Sequence, residues 1–233
     1  MSRLLAFGCS FTNYRWSTWA DILAPEFDQF ENWGQSGAGN HFIFNSLMEA
    51  DQRQRFGPDD TVVVCWSSTF RDDRYIKDRW ITLGQIDHCN IYTKDFITNG
   101  IDDRGTLIRD LAFVKAAAEL LESRPGVTWK FISICPIEST RYWGIEDVTQ
   151  HDVVKLYKSV LDKIDADYVD FLRRFSRNNC YKDDHHPTPI EHLGFLDEVF
   201  PGWVTKQETR VKIREEQNNI QLNRTGLSTV TRL

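Results

Sequence analysis

Residues 3–12 read RLLAFGCSFT. The first five form an apolar run that stops at Gly8, too short for a stable helix, and this predicts a buried strand. A serine two residues beyond, in a turn opened by glycine, can present its hydroxyl at the edge of a sheet. The same tight turn points backbone N–H groups into that space, which suits a nucleophile that brings its own oxyanion donor. A plain strand-ending turn fits the same residues, so the stretch gains meaning only from what lies further along the chain.

Outward from it, strands and helices alternate. Residues 28–33 (DQFENW) predict a second strand ending at Gly34. Residues 60–66 (DTVVVCW) are β-branched and follow Gly57-Pro58, and residues 128–134 (TWKFISI) close at Cys135-Pro136, so both read as buried strands. Between them, Thr18 and Asp21 form a capping-box pattern that opens a short helix to about Leu23. Residues 40–50 carry Ile43, Leu47 and Ala50 in one stripe. Residues 106–122 repeat Leu107, Leu111, Val114, Ala118 and Leu121 on one helical face, and residues 152–173 carry a similar stripe from Val153 to Phe171. Thr188 as N-cap, Pro189 at the first position and Glu191 in the box start a last helix over 189–200. The alternation predicts an α/β fold, a mostly parallel sheet with helices on both faces. Functional residues in such sheets gather at the carboxyl ends of the strands, where Gly8–Thr12, Trp33–Asn40, Trp66–Arg71 and Cys135–Thr140 all fall.

The 233 residues suit one such domain, here 1–203. Two segments stand outside the rhythm. Residues 67–105 read as a long polar and aromatic excursion over the site edge, and residues 204–233 as a polar arm that either docks on a neighbour or frays.

Composition narrows the function classes. A net charge of −6 with no basic block argues against nucleic acid as a partner. No stretch approaches the length of a membrane span, and the apolar run at the N-terminus is short for a signal peptide. The five cysteines include no C-x-x-C pair, and Cys65 and Cys135 end apolar runs, which favours buried thiols and a reducing, cytoplasmic setting.

Two further stretches carry chemistry. Asn32-Trp33-Gly34-Gln35-Ser36-Gly37-Ala38-Gly39-Asn40 holds three glycines in six residues, so its backbone must approach something closely. It reads either as a phosphate cradle, although it fits no dinucleotide or P-loop fingerprint, or as an oxyanion loop in which the Gly37 N–H and the Asn40 amide face the nucleophile. Asp183-Asp184-His185-His186-Pro187-Thr188-Pro189 places an acid three residues before His186 in a proline-stiffened loop, the arrangement of an imidazole base and its orienting carboxylate. The same acids and histidines, with His192, also read as metal ligands.

A serine turn after the first strand, a glycine loop after the second and D-x-x-H-P before the last helix together resemble the SGNH (GDSL-like) hydrolase family over residues 4–200. Asn32, Gly34, Ser36 and Gly37 match its second block, and Asp183, His186 and Pro187 its last. Gly8-Cys9-Ser10 replaces the usual G-D-S, and the G-C-S-F-T form resembles a bacterial and phage subgroup. The resemblance implies a three-layer α/β/α, flavodoxin-like fold with about five strands. It implies Ser10 as nucleophile, His186 as base and Asp183 as its orienter, with no cofactor or metal. The third block departs from the family: Trp66-Ser67-Ser68-Thr69-Phe70-Arg71 lacks the oxyanion-hole asparagine. Ser67, Ser68 or Asn40 would have to substitute, and Arg71 would line the pocket or pair with Asp72 or Asp73.

The implied activity is hydrolysis of a small acyl, lipid or glycan acetyl ester, or acyl transfer by the same residues. Trp16, Trp33, Trp66 and Trp80 would suit stacking on sugar rings, and core packing accounts for them as well. The rival expectation, raised by the missing asparagine and the arm, is a binding or structural subunit, for instance of a phage particle. The arm would then make an assembly or homo-oligomer contact.

Overall fold

The computed structural model describes residues 1–86, 92–138, 151–175 and 186–224. In chain order the strands are β1 (Arg3–Phe7), β2 (Gln29–Asn32), β3 (Asp60–Trp66), β4 (Arg71–Ile76), β5 (Arg79–Gln85), β6 (Thr128–Ser133) and β7 (Ile164–Asp167). The helices are α1 (Trp19–Leu23), α2 (Asn40–Gln54), α3 (Lys94–Gly100), α4 (Asp103–Glu122), α5 (His151–Leu156), α6 (Lys158–Leu161), α7 (Tyr168–Phe175), α8 (Pro189–Val199) and α9 (Gln207–Arg224).

Five strands form one parallel sheet in the order β2-β1-β3-β6-β7. Val62 to Trp66 of β3 are all fully buried. Successive side chains on a strand point to opposite faces, so this sheet is covered on both sides, as expected for parallel strands that read as a continuous apolar run. Helices α2, α4 and α6 pack among themselves, as do α1, α7, α8 and α9. The strand order reverses direction between β1 and β3, which makes the crevice beyond their carboxyl ends the switch point where open α/β sheets bind ligands. Ser10 follows one of these strands and Ser67 the other.

One expectation is corrected, and two segments prove to have elements of their own. The helix over 152–173 is broken into α5, α6, β7 and α7. Ile164 and Tyr168 lie on the helical stripe by spacing alone. Pairing of Ile164-Asp165-Ala166-Asp167 with β6 overrides that local pattern. The excursion 67–105 has secondary structure. It contains the antiparallel hairpin β4–β5, α3 and the start of α4. Lys77 and Asp78 at its tip both have positive φ, 50° and 60°, the sign pattern of a type I′ turn without its usual Asn-Gly or Asp-Gly.

The 204–233 arm is, up to residue 224, the helix α9, docked on α8 of its own chain. Thr209, Ile213 and Gln217 form its buried stripe at i, i+4 and i+8, with only one aliphatic member, which is why no apolar period shows in the sequence. Glu26 fixes its approach by accepting the backbone N–H groups of Thr205 and Lys206 and the Thr205 hydroxyl. No helix among the described residues is long and apolar enough to cross a membrane.

Candidate active site

The turn after β1 is built by close approach. A Cβ on Gly8 would lie 2.1 Å from Thr12 Oγ1 and 3.1 Å from Cys65 Cβ, so no larger residue fits between the strand end and its neighbours. Thr12 N and Asn13 N both donate to Cys9 O, at 2.9 and 3.1 Å, which closes the turn. Cys9 and Phe11 point into the core, and Ser10 between them is 4% exposed.

His186 arrives from the other end of the chain. Its Nε2 lies 2.8 Å from Ser10 Oγ, across a separation of 176 residues. The ring stacks on Tyr14, with centroids 4.0 Å apart and planes 16° from parallel, and packs obliquely on Phe11. The chain immediately after it is pinned twice. Trp16 Nε1 donates to Pro187 O at 2.8 Å, and the Thr188–Glu191 capping box with Pro189 starts α8 immediately afterwards. Asp183, Asp184 and His185 lie outside the described residues.

His192, one of the metal-ligand expectations, is instead a core residue. It is fully buried, its Nδ1 is 2.8 Å from the Tyr168 hydroxyl, and burial, reinforced by nearby His186, pushes its pKa down to about 3. Its ring is therefore neutral. Among the described residues no group of three or more His, Cys, Asp or Glu is placed to hold a metal. Cys9, Cys65 and Cys135 are buried free thiols. Burial pushes Cys65 well up and Cys135 up to about 12, which keeps both protonated and inert. Cys89 and Cys180 lie outside the described residues.

The glycine loop is tied to the nucleophile turn. Gln35 N donates to Gly8 O at 3.0 Å, Asn13 Nδ2 to Gly34 O at 2.9 Å, and Asn32 Nδ2 to Thr12 O at 2.8 Å. Its other side is held by the β4–β5 hairpin, which the sequence did not reveal. Thr82 Oγ1 donates to Ser36 O and accepts from Gln35 Nε2, and Gly84 N donates to Gly37 O at 3.0 Å. Gly37 has φ +77°, and a Cβ there would meet Thr82 O at 2.4 Å, so both the conformation and the contact require glycine. From β4, buried Asp73 accepts the N–H groups of Gly39 and Phe42, although burial still pushes its carboxyl up.

The Asn40 amide is engaged within the protein. It donates to Ser67 O at 3.0 Å and Asp110 Oδ2 at 2.8 Å, and its oxygen accepts Ser67 N at 2.7 Å. Both amide hydrogens are committed, so Asn40 ties the start of α2 to the end of β3 and to α4. Burial pushes the Asp110 carboxyl up to about 6 against the pull of Arg109 and Asn40. Ser67 Oγ, in contrast, is buried with no hydrogen-bond partner among the described residues. Ser68 Oγ accepts Phe70 N. Arg71 is buried, and its Nη1 donates to Ala38 O at 2.9 Å, bracing the glycine loop. Asp72 is paired by Arg74 and Arg109.

Of the four tryptophans, Trp66 is fully buried and Trp16 is 7% exposed. Trp33 stacks on Phe7, and Trp80 packs edge-on to His41 and Phe42. All four are engaged in packing.

No family model matches the sequence, and no curated protein matches it. Among solved structures, a member of the lipolytic G-D-S-L family from Veillonella parvula DSM 2008 aligns with a TM-score of 0.50 at 15% identity. The alignment covers 87% of this chain and 100% of that one. TesA aligns with a TM-score of 0.49 at 14% identity (86% and 97% covered), and the esterase EstA from Pseudoalteromonas sp. with 0.45 at 12% (88% and 100%). The chain thus has the α/β fold of the G-D-S-L lipolytic protein.

Proposed function

We propose that the chain is a serine ester hydrolase of the SGNH type, with Ser10 as nucleophile and His186 as its general base. The observation that carries this reading is the 2.8 Å contact between Ser10 Oγ and His186 Nε2, at the switch point of the sheet. The fold shared with a lipolytic G-D-S-L protein supports it.

In this reading Ser10 Oγ attacks the ester carbonyl while His186 Nε2 takes the hydroxyl proton. The tetrahedral intermediate collapses, the C–O bond to the alcohol breaks, and His186 returns the proton to the leaving oxygen. Water then attacks the acyl-serine by the same route in reverse. With Nε2 as acceptor, Nδ1 carries the hydrogen, and the family resemblance assigns Asp183 to hold it. The backbone N–H groups of Ser10 and Gly37 stabilise the oxyanion. Ser67 Oγ, a buried hydroxyl in the third-block position, is the proposed third donor in place of the missing asparagine. The substrate is a small acyl ester, an acetylated glycan among the candidates.

Incubation with an activated alkyl phosphonate, followed by peptide mass mapping, tests the assignment of the nucleophile. A single adduct on the peptide that holds Ser10, absent from Ser10→Ala, is expected. Labelling that persists in Ser10→Ala would remove Ser10 from the role.

A further inference from the structure

The sheet ends at β7, and a cavity of about 650 Å³ opens against that strand. Ile164, Asp165, Ala166 and Asp167 all line it. Because side chains alternate between faces along a strand, four consecutive residues can share one cavity only where it looks onto the strand's edge. That edge presents the N–H and C=O groups of β7 that β6 does not take. Among the described residues no strand pairs with it. Apolar footing comes from Ile137, Phe171 and Val199. None of the lining residues belongs to the Ser10–His186 site.

The wall is acidic. Glu138, Asp162, Asp165, Asp167, Asp170 and Glu198 line it against a single guanidinium, Arg174. Arg174 is spent on Asp170 and Glu198, at 3.2 and 2.7 Å, while Lys158 pairs with Asp162 and Lys130 with Asp165. Glu138 and Asp167 have no ion-pair partner among the described residues. Burial pushes the Asp167 carboxyl up, and the charges of Asp170 and Glu138 add to this. Ser133 of β6, paired with Asp167 of β7, stands at the inner end of the cavity.

We propose that this cavity receives an extended basic peptide segment, which adds to β7 as a sixth strand with its lysine or arginine side chains among the carboxylates. Strand addition draws affinity from main-chain hydrogen bonds and specificity from alternate side chains. The occupant's residues should therefore alternate, basic groups meeting the acidic wall and apolar ones meeting Ile137, Phe171 and Val199.

The test is titration of the isotopically labelled full chain with the peptide acetyl-Lys-Val-Lys-Val-Lys-amide, followed by amide chemical shifts. Two comparison probes are the same peptide with its backbone N-methylated at alternate residues, and spermidine. The expected result is saturable shifts at Ser133 and at 164–167, with the N-methylated peptide binding about tenfold more weakly or worse. Glu138→Gln should weaken the parent peptide as well, and added salt should do the same. Equal binding of the N-methylated peptide or of spermidine would reduce the site to a polycation trap and overturn strand addition. Shifts elsewhere, or none at all, would overturn the proposal outright.

Discussion

The carboxylate of Asp73, on β4, accepts the backbone N–H of Gly39 at 2.9 Å and that of Phe42 at 2.9 Å. Gly39 is the N-cap of α2 and has no side chain with which to satisfy the helix's orphan donors, so a residue from the hairpin supplies the cap. The glycine loop runs into this helix start, and the same hairpin holds Gly37 through Gly84 and Ser36 through Thr82. The hairpin thus braces the glycine loop of the candidate site.

Loss of this clamp should therefore act on turnover as well as on stability. Asp73→Ala is expected to cost about 1–2 kcal/mol of stability, the usual value of a lost cap. It should also lower kcat about tenfold, because the Gly37 N–H is then less well placed. Thr82→Val, which removes two hydrogen bonds and keeps the shape, should lower kcat with a smaller stability loss. Chemical denaturation and steady-state kinetics on the same samples check this. An unchanged kcat in both variants would make the hairpin a mere cover.

Asn40 and Ser67 should separate cleanly. Asn40→Ala leaves Ser67 N, Ser67 O and the Asp110 carboxylate short of partners in the interior, which should destabilise the chain by about 2–4 kcal/mol. Ser67→Ala removes a hydroxyl that has no partner among the described residues, so stability should barely change. If that hydroxyl is the third oxyanion donor, kcat should fall about 10²-fold. The reverse outcome, a stable Asn40→Ala with low kcat, would return Asn40 to the oxyanion hole.

Much of this architecture was legible from residue patterns. β1, β3 and β6 are apolar runs bounded by Gly and Pro, and the Thr18–Asp21 and Thr188–Glu191 boxes mark the starts of α1 and α8 where the structure has them. Order along the chain also sufficed to bring Ser10 and His186 together. What stayed hidden is tertiary in origin. β7 is an edge strand whose four residues alternate apolar and acidic, and only its register with β6 defines it. The hairpin turns on Lys77-Asp78, a pair with no hairpin signature. That the Asn40 amide is already occupied is likewise a tertiary fact, invisible in the sequence.

The buried His192 sets a pH dependence of stability. In the unfolded chain its imidazole titrates at the ordinary 6.5, and in the folded chain only at about 3. Between these values the unfolded state binds a proton that the folded state refuses, so stability is lost as pH falls through this window. The slope should be about 1.4 kcal/mol per pH unit for this one group. Urea unfolding at several pH values should show a shallower slope in His192→Gln than in the parent. Parallel slopes would mean that His192 is protonated in the fold.

The proposed function turns on Ser10 and His186 acting as a nucleophile–base pair. Its most direct test is the steady-state hydrolysis of an aryl acetate by the parent chain, Ser10→Ala and His186→Ala, each verified as folded. A measurable kcat/KM is expected for the parent and a loss of about 10³-fold or more in each variant, with the double variant no worse than either alone, because the two residues act as a unit. Parent activity at the level of Ser10→Ala on aryl acetate and butyrate alike, or activity that survives in either single variant, would contradict it.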